Sequence, residues 1–203
     1  MHVRVNAATS ADGKLASRRR EQVAISGPED FARVDRMRAD SDAVMVGVGT
    51  VLADDPHLTV EGATPARVVA DSQLRTPRDA RVLDDAAPTY LLASEAASDD
   101  VPGATVITAG TERVALPAAL DELASRGIES VMVEGGGELI FSLFEATLVD
   151  ELSVFVGPTI IGGRNAPTLA DGEGFAEPAE FADLTLQGVE KVDDGVLLRW
   201  TVD

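Results

Sequence analysis

The chain has 203 residues, of which 35 are acidic, 17 are lysine or arginine and none is cysteine. Its 45% hydrophobic content is enough for one sizeable core, so we expect a single domain over residues 1–203. Without cysteine there are no disulfides, no thiolate metal site and no cysteine nucleophile. No apolar run approaches the roughly 18 residues of a membrane span, and we expect no membrane partner.

The net charge of −18 predicts how the chain meets its partners. Such a surface repels nucleic acid and anionic lipid, so an anionic ligand must be held by local arginines or backbone amides. A carboxylate-rich surface stays hydrated at high salt, where its self-repulsion is screened. The composition therefore indicates a salt-adapted protein, with an ordinary acidic protein as the alternative. The charged, alternating N-terminus does not fit a signal peptide, and we expect a cytoplasmic location.

Strands and helices alternate through the first 150 residues. Ser26 and Glu29 form the pattern of a capping box, which predicts a helix over residues 26–40. One face of that helix carries Phe31, Val34, Met37 and Arg38. A second helix is predicted at 117–127, because Pro stands at the start of this segment and Gly at its end. Apolar or alternating runs predict strands at 2–9, 43–51, 66–72, 88–94, 104–110 and 130–135.

Strands dominate after residue 150. Residues 151–163 predict one strand, and the segments on either side of Asp194-Gly195 predict an antiparallel hairpin. This order indicates a three-layer α/β fold with a mixed, mostly parallel sheet that ends in an antiparallel edge.

Two glycine clusters follow predicted strands. Gly47-Val48-Gly49 fails the dinucleotide fingerprint G-x-G-x-x-G because the sixth position is Leu52, and neither cluster continues as a Walker phosphate loop. Gly135-Gly136-Gly137 lies between a strand and a helix, where unpaired amides and the helix dipole favour a phosphate. We therefore predict phosphate contact there, with a tight turn that holds no ligand as the alternative.

Other polar clusters are ambiguous. Asp54 and Asp55 could serve an acid/base or metal site, but Asp-Asp-Pro is also common in turns, and adjacent side chains point apart. His2 and His57 show no ligand spacing, and we predict no metal. In a chain this acidic, the cluster Arg18-Arg19-Arg20 is either a solvated loop or a site for an anionic substrate.

Taken together, four segments resemble the riboflavin-biosynthesis reductases. They are TSADGKLA (9–16), SDAVMVGVGTVLADDPHLTV (41–60), RVVADSQLRTP (67–77) and VEGGGELIFSLFEATLVDELSVFVGPTIIGG (133–163). The resemblance runs from about residue 3 to the end, and G-x-G-T-V-L-x-D-D-P-x-L-T over 47–59 is its most specific run.

The resemblance implies a dihydrofolate-reductase-like fold, usually assembled as a homodimer. It also implies NADPH-dependent reduction of the ribosylamino group of a phosphorylated pyrimidine, by hydride transfer to ribose C1′. NADH is the alternative cofactor, and the 2′-phosphate pocket that decides between them is placed only near Ser72, Arg75 and Ser94. Bacterial relatives carry a zinc deaminase domain that contains cysteine. Because this chain has no cysteine, we expect deamination to belong to another protein.

Family positions transfer onto residues of this chain one by one. Those implied to contact the cofactor are Ala8, Thr50, Asp54, Asp71, Ser72, Gln73, Leu74, Gly136, Gly137, Glu138 and Leu139. On the substrate side Arg38 matches a phosphate-directed arginine, Leu58 a pocket wall, and Glu134 a carboxylate that faces the pyrimidine or ribityl group. The proton donor stays open, with Asp54 and Glu134 as weak candidates for a catalytic acid.

One departure from the family concerns the substrate phosphate. Glu61 stands where bacterial relatives often have a basic residue, and residues 18–24 are unusually rich in arginine. We hypothesise that Arg18, Arg19 or Arg20 replaces the missing contact. Two other functions stay open: a dihydrofolate or pterin reductase on the same fold, and a nucleotide-binding module that does not turn over.

Overall fold

The computed structural model describes residues 1–21, 23–97 and 100–203, so Gln22 in the arginine-rich stretch lies outside it. Within these residues it contains nine strands and four α-helices. The strands are β1 (His2–Ser10), β2 (Ala43–Gly47), β3 (Ala66–Ala70), β4 (Thr89–Ala93), β5 (Thr105–Thr108), β6 (Ser130–Gly135), β7 (Glu151–Gly157), β8 (Leu184–Val192) and β9 (Gly195–Val202). The helices are α1 (Pro28–Ala39), α2 (Val48–Asp54), α3 (Leu116–Ser125) and α4 (Gly137–Glu145).

All nine strands form one sheet in the order β5-β4-β3-β2-β6-β1-β7-β9-β8. The first seven strands in that order are parallel. Strand β9 runs antiparallel to both β7 and β8. The predicted mostly parallel sheet and its C-terminal hairpin are therefore confirmed.

Both faces of the central strands are buried, which explains their continuous apolar runs. On β2, Met45 packs into a large cluster with residues of α3 and α4, such as Leu123 and Ile140. Val44 and Val46 point to the opposite face, into a second cluster that includes Val51 of α2. In the described part of the chain, no helix is long and apolar enough to cross a membrane.

The start of α1 differs from the prediction. Gly27 is the N-cap residue and Pro28 opens the helix, so the proposed Ser26–Glu29 capping box is wrong. The cap comes instead from the β8–β9 turn, where the Asp193 carboxylate accepts the N–H groups of Glu29 and Asp30 at 3.2 and 3.0 Å. Proline at the first helical position moves the helix start past Ser26 and leaves a cap to be supplied by another segment.

The predicted apolar face of α1 is only partly correct. Phe31 is 55% exposed, whereas Asp30 is 1% exposed. Arg33 donates to Asp30 Oδ1 at 2.8 Å and to Asn6 Oδ1 of β1 at 2.7 Å. The ion pair lies within the helix, and its arginine joins the helix to the sheet through Asn6, which a search for apolar spacing cannot detect.

The strand predicted at 43–51 is too long. It ends at Gly47, and Val48–Asp54 forms α2. The β-branched residues Val48, Thr50 and Val51 imitate a strand, but the tight turn at Gly47 starts a helix whose Val48 and Val51 still point into the core. Likewise, the strand predicted at 151–163 ends at Gly157.

Candidate functional site

The two glycine clusters meet at the carboxyl ends of β2 and β6. A Cβ placed on Gly136 would lie 3.5 Å from both the nitrogen and the Cα of Gly47. Gly136 has φ +94°, a conformation that strongly favours glycine, and it is the N-cap of α4. Gly47, from the cluster that fails the dinucleotide fingerprint, therefore packs directly against the triplet predicted to hold a phosphate. We call the surface formed by Gly47 and Gly135–Gly137 the glycine floor. Unpaired amides at the start of α4 adjoin that floor.

Glu134 leaves β6 through a bulge. Met45 pairs with Val133 and Val46 pairs with Gly135, so Glu134 is an extra residue in the β2–β6 ladder. Bulges of this kind re-aim a side chain and are common beside active sites. The local irregularity therefore turns a carboxylate toward α1 immediately before the glycine turn.

Arg38 of α1 meets that carboxylate with two hydrogen bonds. Its Nε donates to Glu134 Oε1 at 2.6 Å and its Nη2 donates to Oε2 at 2.7 Å. The side chains are 23% and 12% exposed. The hydrogen bonds to Glu134 raise the pKa of Arg38, whereas burial opposes that rise. Nη1 contacts the Thr59 carbonyl at 3.4 Å and lies 3.6 Å from Asp35 Oδ1, so its contacts are longer than those of the other two nitrogens.

The structure separates the two aspartates at the end of α2. Asp55 accepts the Arg81 N–H at 2.8 Å and has φ +41°, so it shapes the turn. Asp54 lies one helical turn after Thr50, and burial raises the pKa of its carboxyl. A Cβ on Gly135 would be 3.4 Å from Thr50 Oγ1, so α2 borders the glycine floor.

The turn after β3 is held by its own side chains. Asp71 is fully buried, and its Oδ2 accepts both the N–H and the hydroxyl of Thr76 at 2.7 Å. Its Oδ1 has no hydrogen-bond partner among the described residues. Ser72 Oγ accepts the Val114 N–H at 3.1 Å, and the Ser94 hydroxyl donates to the Ser72 carbonyl at 2.7 Å.

An aspartate outside the predicted site residues, Asp12, joins two loops beyond β1 and β7. Asp12 accepts the N–H groups of Ile161 and Gly162 at 3.0 and 2.7 Å, and the Ser10 hydroxyl at 2.6 Å. These hydrogen bonds, that from Ser10 foremost, lower the pKa of Asp12 to about 2. A cavity of about 360 Å³ beside this junction is lined by Ser17, Arg18, Ile161, Gly162 and Gly163.

Another contact missed in the sequence covers the last glycine. The Asp171 N–H donates to the Gly137 carbonyl at 3.0 Å. A Cβ on Gly137 would lie 2.5 Å from the Thr168 carbonyl oxygen, so this position has no room for a side chain. Packing alone thus requires glycine at position 137, and no local signal in the sequence distinguishes this use from the predicted ligand approach.

The remaining predicted residues are dispersed around the same edge. The Leu58 side chain is buried in the core, and its φ is +53°. The contact of this loop with Arg38 is made instead by the backbone carbonyl of the next residue, Thr59. Leu139 is also a core residue, whereas Glu138 and Gln73 are exposed. Ala8 is half-buried beside Phe155. Leu74 has φ +50°, and Arg75, Arg19 and Arg20 are exposed.

The histidines have ordinary surface partners. His2 contacts Asp150 and Glu151, and His57 contacts Asp84. Over residues 1–21, 23–97 and 100–203, no three His, Cys, Asp or Glu side chains are grouped closely enough to hold a metal ion.

The predicted cofactor residues follow neighbouring strands. Residues 71–74 follow β3, Thr50 and Asp54 follow β2, residues 136–139 follow β6, and Ala8 lies near the end of β1. These four strands are adjacent in the order β3-β2-β6-β1. Ligands of parallel α/β sheets bind outside the carboxyl ends of the strands. The fold is therefore that of an α/β protein whose ligand site is expected at this edge of the sheet.

The chain belongs to the RibD C-terminal domain family, whose model matches residues 1–198. It is 43% identical to a 2,5-diamino-6-ribosylamino-4(3H)-pyrimidinone 5′-phosphate reductase of Archaeoglobus fulgidus, over 96% of this chain and 94% of that protein. It is 44% identical to the protein of the same name from Methanothermobacter thermautotrophicus, over 99% and 98% of the two chains.

Solved structures support the same assignment. The chain superposes on a Thermotoga maritima deaminase/reductase with a TM-score of 0.83 at 26% identity. The match covers 100% of this chain and 56% of the other chain. The riboflavin biosynthesis reductase Rib7 of Saccharomyces cerevisiae shares the fold, with a TM-score of 0.76 at 20% identity. The predicted dihydrofolate-reductase-like fold is confirmed by these neighbours.

Proposed function

We propose that the chain reduces the ribosylamino group of 2,5-diamino-6-ribosylamino-4(3H)-pyrimidinone 5′-phosphate to the ribitylamino product, with NADPH as cofactor. The observation that carries this proposal is the Arg38–Glu134 pair, which borders the glycine floor at the ends of β2 and β6. A carboxylate beside this glycine floor suits a substrate rich in amino groups, because a carboxylate accepts hydrogen bonds from them. Relatives at 43 and 44% identity carry the name of this activity.

The residues present fit a nicotinamide dinucleotide. The close approach of Gly47 and Gly136 leaves backbone exposed where a Cβ would otherwise stand, and the start of α4 offers amides to a pyrophosphate. The unpartnered Oδ1 of Asp71 lies in the turn that we assign to the adenosine end. Gln73 and Arg75 are exposed in the same turn, and we assign Arg75 to the 2′-phosphate that distinguishes NADPH from NADH.

Glu134 is assigned to recognition of the pyrimidine. As a carboxylate it accepts hydrogen bonds and donates none, and its two oxygens have lone pairs left beyond those that Arg38 uses. We assign Arg38 to orienting Glu134, because two of its three nitrogens already donate to it. Nη1 has only longer contacts, to the Thr59 carbonyl and to Asp35, and is the nitrogen left to reach a substrate phosphate as the family resemblance implies.

The chemistry needs orientation more than a reactive side chain. A bound nicotinamide supplies the hydride that ribose C1′ accepts after the sugar ring has opened. Ring opening leaves an imine between C1′ and the substituent nitrogen. The chain's own task is to hold C1′ in place, exclude water, and deliver to the imine nitrogen the proton that completes the amine. We assign this proton to Asp54, since its raised pKa favours the protonated acid more than in an ordinary aspartate, whereas Glu134 is bound to a guanidinium.

Arg18 is our choice among the three clustered arginines for the substrate phosphate. All three arginines are exposed, but only Arg18 lines the 360 Å³ cavity, together with Gly162 and Gly163. Arg18→Ala is expected to raise the KM for the phosphorylated substrate about tenfold, through loss of a charged hydrogen bond. Arg19→Ala is the matched control and should change KM less than about twofold. Equal effects of the two changes would contradict this choice.

We further propose a homodimer formed through the C-terminal hairpin. The β8–β9 register places Leu184, Leu186, Val189 and Val196 on one face, and all four are exposed. An apolar stripe on an edge strand is a surface that a second copy can cover. Sedimentation should show a dimer for the native chain and a monomer for Val189→Asp. Phe31→Asp, an exposed apolar residue on α1, should leave the dimer intact.

One assay tests the function as a whole. Oxidation of NADPH is followed with the ribosylaminopyrimidine phosphate, then with dihydrofolate, and both are repeated with NADH. We expect turnover with the first substrate, and a kcat/KM for NADPH at least about tenfold above that for NADH. Turnover with dihydrofolate alone would identify a pterin reductase. Binding of NADPH without turnover of either substrate would leave a nucleotide-binding module.

A further inference from the structure

A second cavity lies away from the edge that carries the candidate site. It encloses about 370 Å³ and is lined by residues of β1, α1, β7, β8 and β9. Its β1 residue, Arg4, pairs in register with Met132 and Glu151 near the beginnings of β6 and β7. Glu134 and the glycine floor lie at the ends of these parallel strands. The volume is within the range of small-molecule sites and far exceeds the roughly 30 Å³ of one water.

Three of the cavity's lining residues are arginines, although the chain has twice as many acids as bases. Arg33 is already satisfied by Asp30 and Asn6. Arg199 is half exposed and lies 3.6 Å from Glu190. Glu151, the one acidic lining residue, accepts a hydrogen bond from His2 at 3.2 Å.

Arg4 lacks a counter-ion. Its Nη2 donates to the Ser41 hydroxyl at 3.1 Å, and its Nε is buried with no acceptor in the part of the chain that the structure describes. No Asp or Glu of those residues lies within 4 Å of its guanidinium. A half-buried cation with no carboxylate partner next to an open cavity is the complement of an anion, because an oxyanion in the cavity supplies the opposite charge.

Neutral donors in the cavity fit the same ligand. The Thr201 hydroxyl accepts the side-chain amide of Gln187 at 3.0 Å, which leaves its own proton free to donate. Thr201 and Arg199 belong to β9, two strands away from Arg4. Glu151 of β7 pairs in register with both Arg4 and Thr201, whereas Arg199 pairs with Ser153. A tetrahedral oxyanion that avoids the Glu151 carboxylate would therefore lie between Arg4 and Arg199 and bridge the centre of the sheet and its C-terminal hairpin.

We propose that this cavity, formed around Arg4 and Arg199, binds a phosphate group, either as inorganic phosphate or as the phosphoryl end of a small monoester. The site is separate from the proposed reductase site and does not depend on that activity. Arg33 and Met37 of α1 form one of its walls, and the next residue, Arg38, holds Glu134. The ligand therefore contacts the helix that also supports the candidate site.

Titration calorimetry with inorganic phosphate, and separately with glycerol phosphate, tests the proposal. All chains carry Arg18→Ala, so that binding at the candidate substrate cavity is not counted. We expect Arg4→Met to weaken binding at least about tenfold and Arg199→Met about threefold, through loss of charge-assisted hydrogen bonds. Arg126→Met removes the same charge from an exposed pair with Glu122 and should change the affinity less than twofold. Tighter binding of glycerol phosphate would identify a monoester as the source of the phosphate.

Several outcomes would overturn the site. Unchanged affinity in both Arg4→Met and Arg199→Met would do so, as would phosphate density in soaked crystals that avoids Arg4. If Arg4→Met fails to fold, Arg199→Met still decides the outcome, because that side chain is half exposed. If either change shifts the monomer–dimer equilibrium and leaves phosphate affinity unaltered, the cavity belongs to an interface and the proposal is wrong.

Discussion

Two arginine–carboxylate pairs, Arg67–Asp84 and Arg38–Glu134, differ in the groups that surround them. Arg67 of β3 is 0% exposed, and its Nη1 donates to Asp84 Oδ1 at 2.6 Å. Its remaining hydrogen bonds go to the backbone carbonyls of Arg81, Asp84 and Ala87. Arg38 instead gives both of its strong hydrogen bonds to the carboxylate of Glu134.

The difference teaches how to distinguish a structural arginine from one that serves a site. Arg67 holds one stretch of chain, residues 81–87, by its carbonyls, so its removal leaves three backbone carbonyls and one carboxylate without their shared donor. Arg38 holds one side chain that a ligand can also reach. We expect the first pair to govern stability and the second to govern turnover, and the following changes test that division.

Arg67→Met should give the largest effect on folding. The loss of a fully buried cation leaves backbone acceptors unsatisfied, so we expect the free energy of unfolding to fall by about 3–5 kcal/mol. Chemical denaturation measures it, with Arg126→Met as the exposed control. A loss below about 1 kcal/mol would show that Arg67 is replaceable. The folded fraction should keep its KM for the substrate.

Glu134→Gln should lower kcat/KM about 100-fold, because the amide cannot replace a carboxylate toward amino groups in a desolvated cleft. Unfolding free energy should change by less than about 1 kcal/mol, and NADPH affinity, measured by fluorescence quenching, should not change. Glu145→Gln at the end of α4 is the matched control. A loss of NADPH affinity equal to the loss of kcat/KM would place Glu134 at the cofactor instead.

Arg38→Lys should be less damaging than Arg38→Met. Lysine keeps the charge and one hydrogen bond but loses the planar fork, so we expect about a tenfold loss of kcat/KM for Lys and about 100-fold for Met. Steady-state kinetics at several pH values measures both. Equal losses would show that the charge contributes nothing without the geometry.

Salt should act on the surface charge and spare the buried pair. The net charge of −18 destabilises the compact chain at low ionic strength, so raising KCl to molar concentrations should raise the Tm by about 3 °C or more. Differential scanning calorimetry tests this, and the loss caused by Arg67→Met should be nearly independent of salt. A Tm that falls with KCl would reject the salt-adaptation hypothesis.

The smallest effect concerns acid stability. Arg67 holds the pKa of Asp84 below its ordinary value of 3.8. A lowered folded-state pKa contributes stability above the unfolded value, and this contribution is lost as pH falls below about 4 toward the folded pKa. Asp84→Asn should therefore narrow the stability difference between pH 6 and pH 3. An unchanged difference would show that other carboxylates govern acid unfolding.

Local signals predicted much of the fold. Apolar runs located each strand of the sheet, and the turn at Asp194-Gly195 located the hairpin. The glycine triplet was correctly placed between β6 and α4 because strand, turn and helix signals agree there. The length of β2 was wrong because β-branched residues of α2 imitate a strand, and tertiary packing of Val48 and Val51 overrides that preference.

Contacts between distant segments could not be predicted in this way. The register shift that turns Glu134 toward Arg38 depends on how β2 pairs with β6, which no spacing in the sequence encodes. No local signal marks the role of Asp12, because its backbone partners lie about 150 residues further along the chain. The resemblance to a family supplied site residues; the physics of local sequence supplied mainly the elements that carry them.

The sheet order also constrains when the protein can fold during synthesis. Strand β1 is the first to leave the ribosome, yet its neighbours β6 and β7 begin at residues 130 and 151. The cap of α1 comes from Asp193, more than 160 residues after the helix it completes. Contacts of such sequence separation form slowly, because a long loop must close before they stabilise anything. The N-terminal segment therefore waits with its apolar residues uncovered until almost the whole chain is made, which makes early release or truncation of the hairpin a direct route to aggregation.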